Sequence, residues 1–256
     1  MSYIKAYWHQ CDNFGDALTP YLIKKISGID AQYVEFNSKP SPFMVTGSLL
    51  NNSIHRATVW GTGCAWKSDL DPNRFASPSE EFRIIATRGL LSKKMVEENG
   101  HQPITYGDPG ILLPNFYQPN VSKKYNVGIV CSWVDYHDVR ARYNNEKITV
   151  INTMGDIEDI INRINECEII ISSALHGIIT AIAYKIPTAC VKFSDKMIGD
   201  GFKYQDFSTC LNTPLNMINL EESVLELEEL VNLSSIYTLI IDADNLFNCC
   251  PFRCQP

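Results

Sequence analysis

The chain has 256 residues, of which 45% are hydrophobic and 20% charged, and carries a formal net charge of −7. This is an ordinary soluble globular composition, long enough for one large α/β domain or two smaller ones. The acidic balance argues against broad nucleic-acid binding, which needs a basic face, and no run of about 18 apolar residues offers a membrane span.

The opening segment MSYIKAYWHQ lacks the apolar core of a signal peptide. Nine cysteines, an odd number at scattered positions, read as reduced cytoplasmic thiols rather than a disulfide framework. Cys249, Cys250 and Cys254 crowd the tail without a fourth ligand or zinc-like spacing, so no metal is expected.

In chain order, YIKAYW (3–8) reads as a strand and DALTPYLIKKISG (16–28) as a helix. Asp16 is its expected N-cap, Pro20 falls in its first turn and Gly28 stops it. Strands follow at 31–36, 43–50, 57–63 and 82–89, then a helix at 90–100 closed by Gly100, then a strand at 104–114 running into a turn. The polar stretch NFYQPNVSKK (115–124) reads as an interdomain linker. Beyond it come strands at 125–133 and 147–152, a helix at 156–167 capped by Asp156, and a β-α-β unit over 168–193. A late acidic helix is expected at 220–235. Alternating β and α in both halves implies parallel sheets with helices on both faces.

Several strand-to-helix turns carry residues that can do chemistry, and in open α/β sheets ligands bind at such carboxyl ends. The turn HQCDNFGDALTP holds Asn13, Gly15 and Asp16, which serve a ligand or simply build a turn and cap. VTGS (45–48) and WGTGC (60–64) are small-residue turns that line a cleft or pack strand on helix. Arg88 ends a strand, where its guanidinium grips a carboxylate or phosphate or forms a salt bridge. Asp108 is a turn former or a general base. In SSALHGIITAIAYKIP (172–187), Ser173 is the expected cap. His176 is then the third helical position, where free N–H groups and the dipole favour an anion. Gly177 permits close packing or close ligand approach, and Lys192 ends the next strand. Trp66, Trp133 and Tyr136 stack on a sugar or pack in the core.

Four pieces in this order, NFGDAL (13–18), ATRGLLSKKMVEENG (86–100), YGDPGILLP (106–114) and SSALHGIITAIAYKIP, resemble the polysaccharide pyruvyl transferase family, over roughly residues 8–195. The resemblance implies an α/β fold of two Rossmann-like domains facing a cleft, GT-B-like. An acceptor-side domain would span 1–118 and a donor-side domain 119–256, with the last helix returning to the first. It implies transfer of pyruvate from phosphoenolpyruvate to a sugar of a polysaccharide or lipid-linked precursor, forming a ketal, as in exopolysaccharide and capsule synthesis. Phosphoenolpyruvate is then a co-substrate and no cofactor is needed. The sugar acceptor would ride on a lipid-diphosphate carrier, which suits peripheral contact at the inner face of the membrane. Asn13, Gly15 and Asp16 would line the acceptor side. Arg88, Leu175, His176, Gly177 and Lys192 would meet the donor. His176 would serve as acid or phosphate clamp, Asp16 as base for the acceptor hydroxyl, and Asp108 as second candidate.

Two departures stand out. Many members have Arg before the Leu-His-Gly triplet, where this chain has Ala174, so Lys192 or Lys185 would have to supply the charge. The exopolysaccharide-type branch often has His after the first strand of its second domain, where this chain has Cys131-Ser132-Trp133 and only later His137. A nucleotide-sugar-dependent GT-B glycosyltransferase is the rival enzyme, although Glu221 and Glu222 are only generic acids for a ribose. A non-catalytic sugar-binding relative is the other alternative, supported by Ala174.

Overall fold

The computed structural model describes residues 3–71, 73–143 and 145–253. It contains two all-parallel sheets. The first has β1 (Ile4–Ala6), β2 (Ala31–Tyr33), β3 (Phe43–Met44), β4 (Ala57–Trp60), β5 (Phe82–Thr87) and β6 (Thr105–Tyr106), in the order β2-β1-β3-β4-β5-β6. The second has β7 (Tyr125–Val130), β8 (Ile148–Ile151), β9 (Cys167–Ser172), β10 (Thr188–Lys192) and β11 (Met217–Asn219), in the order β11-β10-β9-β7-β8. The helices are α1 (Phe14–Ser27), α2 (Leu90–Glu97), α3 (Tyr136–Tyr143), α4 (Ile157–Asn165), α5 (Leu175–Ala183), α6 (Phe202–Ser208), α7 (Leu227–Leu233) and α8 (Ala243–Asn248), with a longer 3-10 turn at Pro109–Asn115.

Burial explains the layering. β9 is buried apart from Glu168, with Ile169, Ile170 and Ile171 in succession, and it sits between β7 and β10 with Ser172 in register with Val130 and Cys190. One apolar cluster fills the space between the sheets, joining Leu18 and Leu22 of α1, Ile160 and Ile164 of α4, Ile178 and Ile182 of α5, and Ile111. Two further clusters cover the outer faces, one around Val59, Phe82 and Val96, the other around Ile129, Val150 and Val191. α8 returns to the first sheet, where the indole N–H of Trp60 donates to the carbonyl of Leu246 at 3.0 Å.

Several expected boundaries move, each for a local reason. α1 begins two residues earlier than expected, because the cap is Asn13, whose side chain accepts from Gly15 N at 3.1 Å; Asp16 lies inside the first turn, and Pro20 lies deeper in the helix. α5 begins at Leu175 with Ala174 as an uncapped N-cap, not Ser173, which places His176 at the second helical position. The strand expected at 43–50 stops at Met44, because Thr46 turns to α1, its hydroxyl 2.9 Å from that of Thr19. The strand expected at 104–114 is two residues long, and Asp108 then opens the 3-10 turn by accepting from Gly110 N at 2.9 Å. The helix expected at 220–235 is confined to α7. Glu222 and Glu226 would face each other one turn apart in a longer helix, which like charges disfavour. α3 and α6 have no counterpart among the expected elements.

No helix among the described residues is long and apolar enough to cross a membrane. The eight described cysteines are free thiols, of which Cys11 alone is exposed. Burial pushes Cys131, Cys167, Cys190 and Cys250 up to about 12, so they are unreactive thiols at neutral pH. Cys254 lies outside the described residues.

Candidate active site

Each sheet has a point where successive crossovers leave in opposite directions: between β1 and β3 in the first, between β7 and β9 in the second. Ligands of open parallel sheets bind outside the strand ends at such points. Here the two meet. A cavity of about 470 Å³ is walled by the segment after β1 (Asn13, Gly15, Asp16), the turn after β3 (Gly47, Ser48), the turn after β7 (Ser132, Trp133) and the start of α5 (Ala174, His176). Its size suits a small ligand.

His176 is the best-defined chemical group on this wall. Its side chain is 13% exposed, and its Nε2 lies 3.5 Å from Oδ2 of the fully buried Asp108. Neither atom has a hydrogen-bond partner, so the contact is an approach rather than a formed bond. Of its two expected roles, Asp108 fills that of turn former. One carboxylate oxygen builds the turn and the other is aimed at the imidazole. On the opposite side of the ring stands Gly15, where a Cβ would come within 2.3 Å of Nδ1. The first turn of α1 can approach the histidine only because residue 15 has no side chain.

The acceptor-side candidates Asn13, Gly15 and Asp16 all reach the cavity, and so do Leu175, His176 and Gly177. Asn13 also spans the two halves: its Nδ2 is 3.5 Å from Thr153 Oγ1, and Phe14 N donates to Thr153 O at 2.7 Å.

Arg88 and Lys192 are placed otherwise. Arg88 is 1% exposed and does not line the cavity. It donates to Ser48 Oγ at 2.9 Å and Cys64 O at 2.7 Å, and pairs with the fully buried Asp206 at 3.2 Å. It stands directly behind the wall that Ser48 forms. Lys192 is outside the cavity, held by Asp195 and, at 2.5 Å, by Glu221, whose carboxylates raise its pKa. Two adjacent acids take the charge that a donor would need. Lys185 lies at the opposite end of α5, beside Lys123 and Glu168.

Sequence reasoning missed the two lysines that do line the cavity, Lys196 and Lys203. Lys196 lies in the loop after β10 and makes only a surface pair with Asp138 at 3.3 Å. Lys203 is on α6. Burial, and then the nearby Arg88 charge, push its pKa down to about 8, against opposing effects of Asp16 and Cys190. The signal for Lys196 was its place just beyond a strand's carboxyl end. Trp66 and Trp133, 42% and 57% exposed, border the cavity from opposite halves, whereas Tyr136 packs against the outer cluster of the second sheet. His137 and Cys131 do not line it. Among the described residues no three His, Cys, Asp or Glu side chains are grouped to hold a metal ion.

Comparison with known proteins shows the following likenesses. The family profile described as Polysaccharide pyruvyl transferase matches residues 77–195, a span holding Asp108, His176 and the strands that carry them. An uncharacterised protein of Acanthamoeba polyphaga mimivirus is 28% identical over 76% of this chain and 69% of its own length. The succinoglycan biosynthesis protein ExoV of Rhizobium meliloti is 25% identical over 80% of this chain and 64% of its own length, so the chain spans under two thirds of that relative. A solved structure of a functionally uncharacterised protein from Klebsiella pneumoniae overlaps 76% of this chain and 85% of its own at 15% identity, with a TM-score of 0.47. Over residues 77–195, which hold Asp108 and His176, the chain is thus similar to the polysaccharide pyruvyl transferase family.

Proposed function

We propose that this chain transfers pyruvate from phosphoenolpyruvate to two hydroxyls of a sugar in a polysaccharide or lipid-linked precursor, forming a cyclic ketal. The observation that carries the reading is the Asp108–His176 pair at a cavity bordered by two lysines. The two sheets would act as GT-B-like Rossmann domains, with the acceptor on the α1 side and the donor on the α5 side. A sugar unit of a surface polysaccharide, carried on a lipid diphosphate at the inner membrane face, is the acceptor class this reading favours. The relative named for succinoglycan biosynthesis supports it.

The chemistry needs a proton delivered to the methylene carbon of the enol, which leaves positive character at the carbon bearing phosphate. A sugar hydroxyl attacks that carbon and loses its proton to a base. The carbon–oxygen bond to phosphate then breaks, the electron pair leaves with phosphate, and the second hydroxyl closes the ring with loss of its own proton. His176 serves as the acid, oriented by Asp108. Asp16 serves as base on the acceptor side. Lys196 and Lys203 neutralise carboxylate and phosphate, a role first expected of Lys192. Arg88 supports the wall behind Ser48 rather than touching the donor.

The test is thermal unfolding with phosphoenolpyruvate, and separately with UDP- and GDP-sugars, for the wild type and His176→Ala. Ligand at a hundred times its dissociation constant stabilises by about 2.7 kcal/mol, at roughly 2–4 °C per kcal/mol for a chain of this size. A shift with phosphoenolpyruvate that His176→Ala abolishes is the expected result. A shift with nucleotide sugars alone would overturn the reading.

A further inference from the structure

We infer that Lys203 is an anion-binding group of the cavity, and that Asp206, three residues further along α6, is the positioning residue that holds it there. The inference rests on the proposed function only for the identity of the anion, a phosphate or carboxylate of the donor.

α6 is seven residues long, too short to hold its shape by propensity alone. It is fixed from both sides. Phe202 is buried in the outer cluster of the first sheet, and Phe207 in the cluster between the sheets. The Tyr204 hydroxyl donates to Ser173 O at 2.6 Å, immediately before the turn that presents His176. The Asp206 carboxylate accepts from Ser92 N at 2.9 Å and Ser92 Oγ at 2.7 Å, and lies 3.2 Å from Arg88 Nη2. A Cβ on residue 89 would fall 2.0 Å from the Asp206 carbonyl oxygen, so glycine there admits the helix against the first half. Arg88, which sequence reading assigned to the donor, is thereby the anchor of this bracket.

Lys203 projects from the bracket into the cavity. Its ammonium donates to Ile198 O at 3.1 Å and lies 5.2 Å from the Tyr204 ring centroid. One carbonyl uses one of three donors. The charged and titratable groups that act on it are Arg88, Asp16 and Cys190, and Asp16, Lys196 and His176 line the same space. Burial and Arg88 oppose its charge more strongly than Asp16 and Cys190 support it. An anion in the cavity restores that support, so anion binding and protonation of Lys203 are coupled.

Calorimetric titration with phosphoenolpyruvate, and separately with inorganic phosphate, tests this between about pH 7 and pH 9.5, above the second ionisation of a phosphate. Wild-type affinity is expected to fall about tenfold across that range, equivalent to about 1.4 kcal/mol. Lys203→Gln should bind about tenfold more weakly at pH 7 and show no such fall. Lys203→Arg should restore binding without the pH step, because guanidinium stays charged. Asp206→Asn keeps the lysine, and should weaken binding several-fold and move the step. A carboxylate with a merely structural role would lower the melting temperature and leave the step in place, which would overturn the positioning role. Lys203→Gln binding as tightly as the wild type with the same step would overturn the whole inference; the hydrogen bonds and ion pair of Arg88 and Asp206 do not involve the Lys203 side chain, so this variant should fold. Phosphate binding that needs Lys203, without phosphoenolpyruvate binding, would keep the inference and sink the donor reading. Binding of neither would sink both.

Discussion

The Asp108 carboxylate stands 3.5 Å from Nε2 of His176, and the two residues follow strands of different sheets, β6 and β9. The pair exists only when the halves are docked, which makes it a sensor of both geometry and chemistry. Asp108→Asn retains an oxygen for Gly110 N and so keeps the 3-10 turn. It removes the carboxylate that, on the proposed mechanism, orients the imidazole. The expected result is a melting temperature within a few degrees of the wild type and turnover reduced by about 10²–10⁴, the usual span for a general acid–base group. His176→Ala should cost as much, and the double variant little more, because the two act as a unit. Additive losses would separate them.

Gly15 gives a second handle on the same ring. A Cβ there would sit 2.3 Å from His176 Nδ1. Gly15→Ala must push the imidazole, and with it the Asp108 contact, out of place. Overpacking costs about 1–3 kcal/mol, or a few degrees at roughly 2–4 °C per kcal/mol. Displacing a catalytic group by about 1 Å can cost about 10²-fold in rate. Steady-state kinetics beside a melting curve should therefore show a large rate loss with a modest stability loss. A variant with normal kcat would mean that the histidine need not stay where it is.

How far the sequence carried is clear from particular segments. β9 and α5 were legible because a run of isoleucines closed by serines, followed by an apolar stripe, has few other solutions. The cavity wall was legible for the same reason, since it lies at strand ends. What was hidden depends on three-dimensional contacts. Arg88 looks like a ligand group until Asp206, over a hundred residues away, is packed against it. α6 has no long apolar period to announce it, so Lys203 was invisible. Lys192 and Lys196 are one helical turn apart in number but differ in role, because Glu221 on the strand-end side claims the first. Charge alone does not say which way a lysine faces.

That last distinction gives a paired prediction. Lys192 is held by two carboxylates outside the cavity, whereas Lys196 lines it and has only an exposed pair with Asp138. An exposed pair is worth about 0–1 kcal/mol, so Lys196 is free to turn to a ligand. Lys196→Ala should weaken phosphoenolpyruvate binding by about tenfold or more, the effect of losing a charged hydrogen bond of about 1.5–3 kcal/mol. Lys192→Ala should leave it within about twofold of the wild type, as surface substitutions usually change free energies by less than about 0.5 kcal/mol. The reverse ranking would return the donor site to the end of β10.

The lowered pKa of Lys203 also makes a statement about stability, and its sign can be worked out. Burial brings the folded group down to about 8, while an unfolded lysine titrates near about 10.4. Between those values the unfolded chain binds a proton that the folded chain does not, so stability gains from this group as pH rises through that window. Below pH 8 both states are protonated, and the folded chain carries a charge that its surroundings disfavour. Lys203→Met removes the charge and keeps much of the apolar stem. The variant should thus be the more stable protein at pH 7. Its advantage should shrink between about pH 8 and pH 10 and level off above, where only packing differs. Urea midpoints of the two proteins, taken side by side at each pH, cancel the titration of every other lysine, tyrosine and cysteine. A gap that stays constant with pH would mean that Lys203 keeps an ordinary lysine pKa. A gap that closes as described would mean that the fold tolerates a destabilising ammonium in the cavity, where an anionic ligand is the group that would repay it.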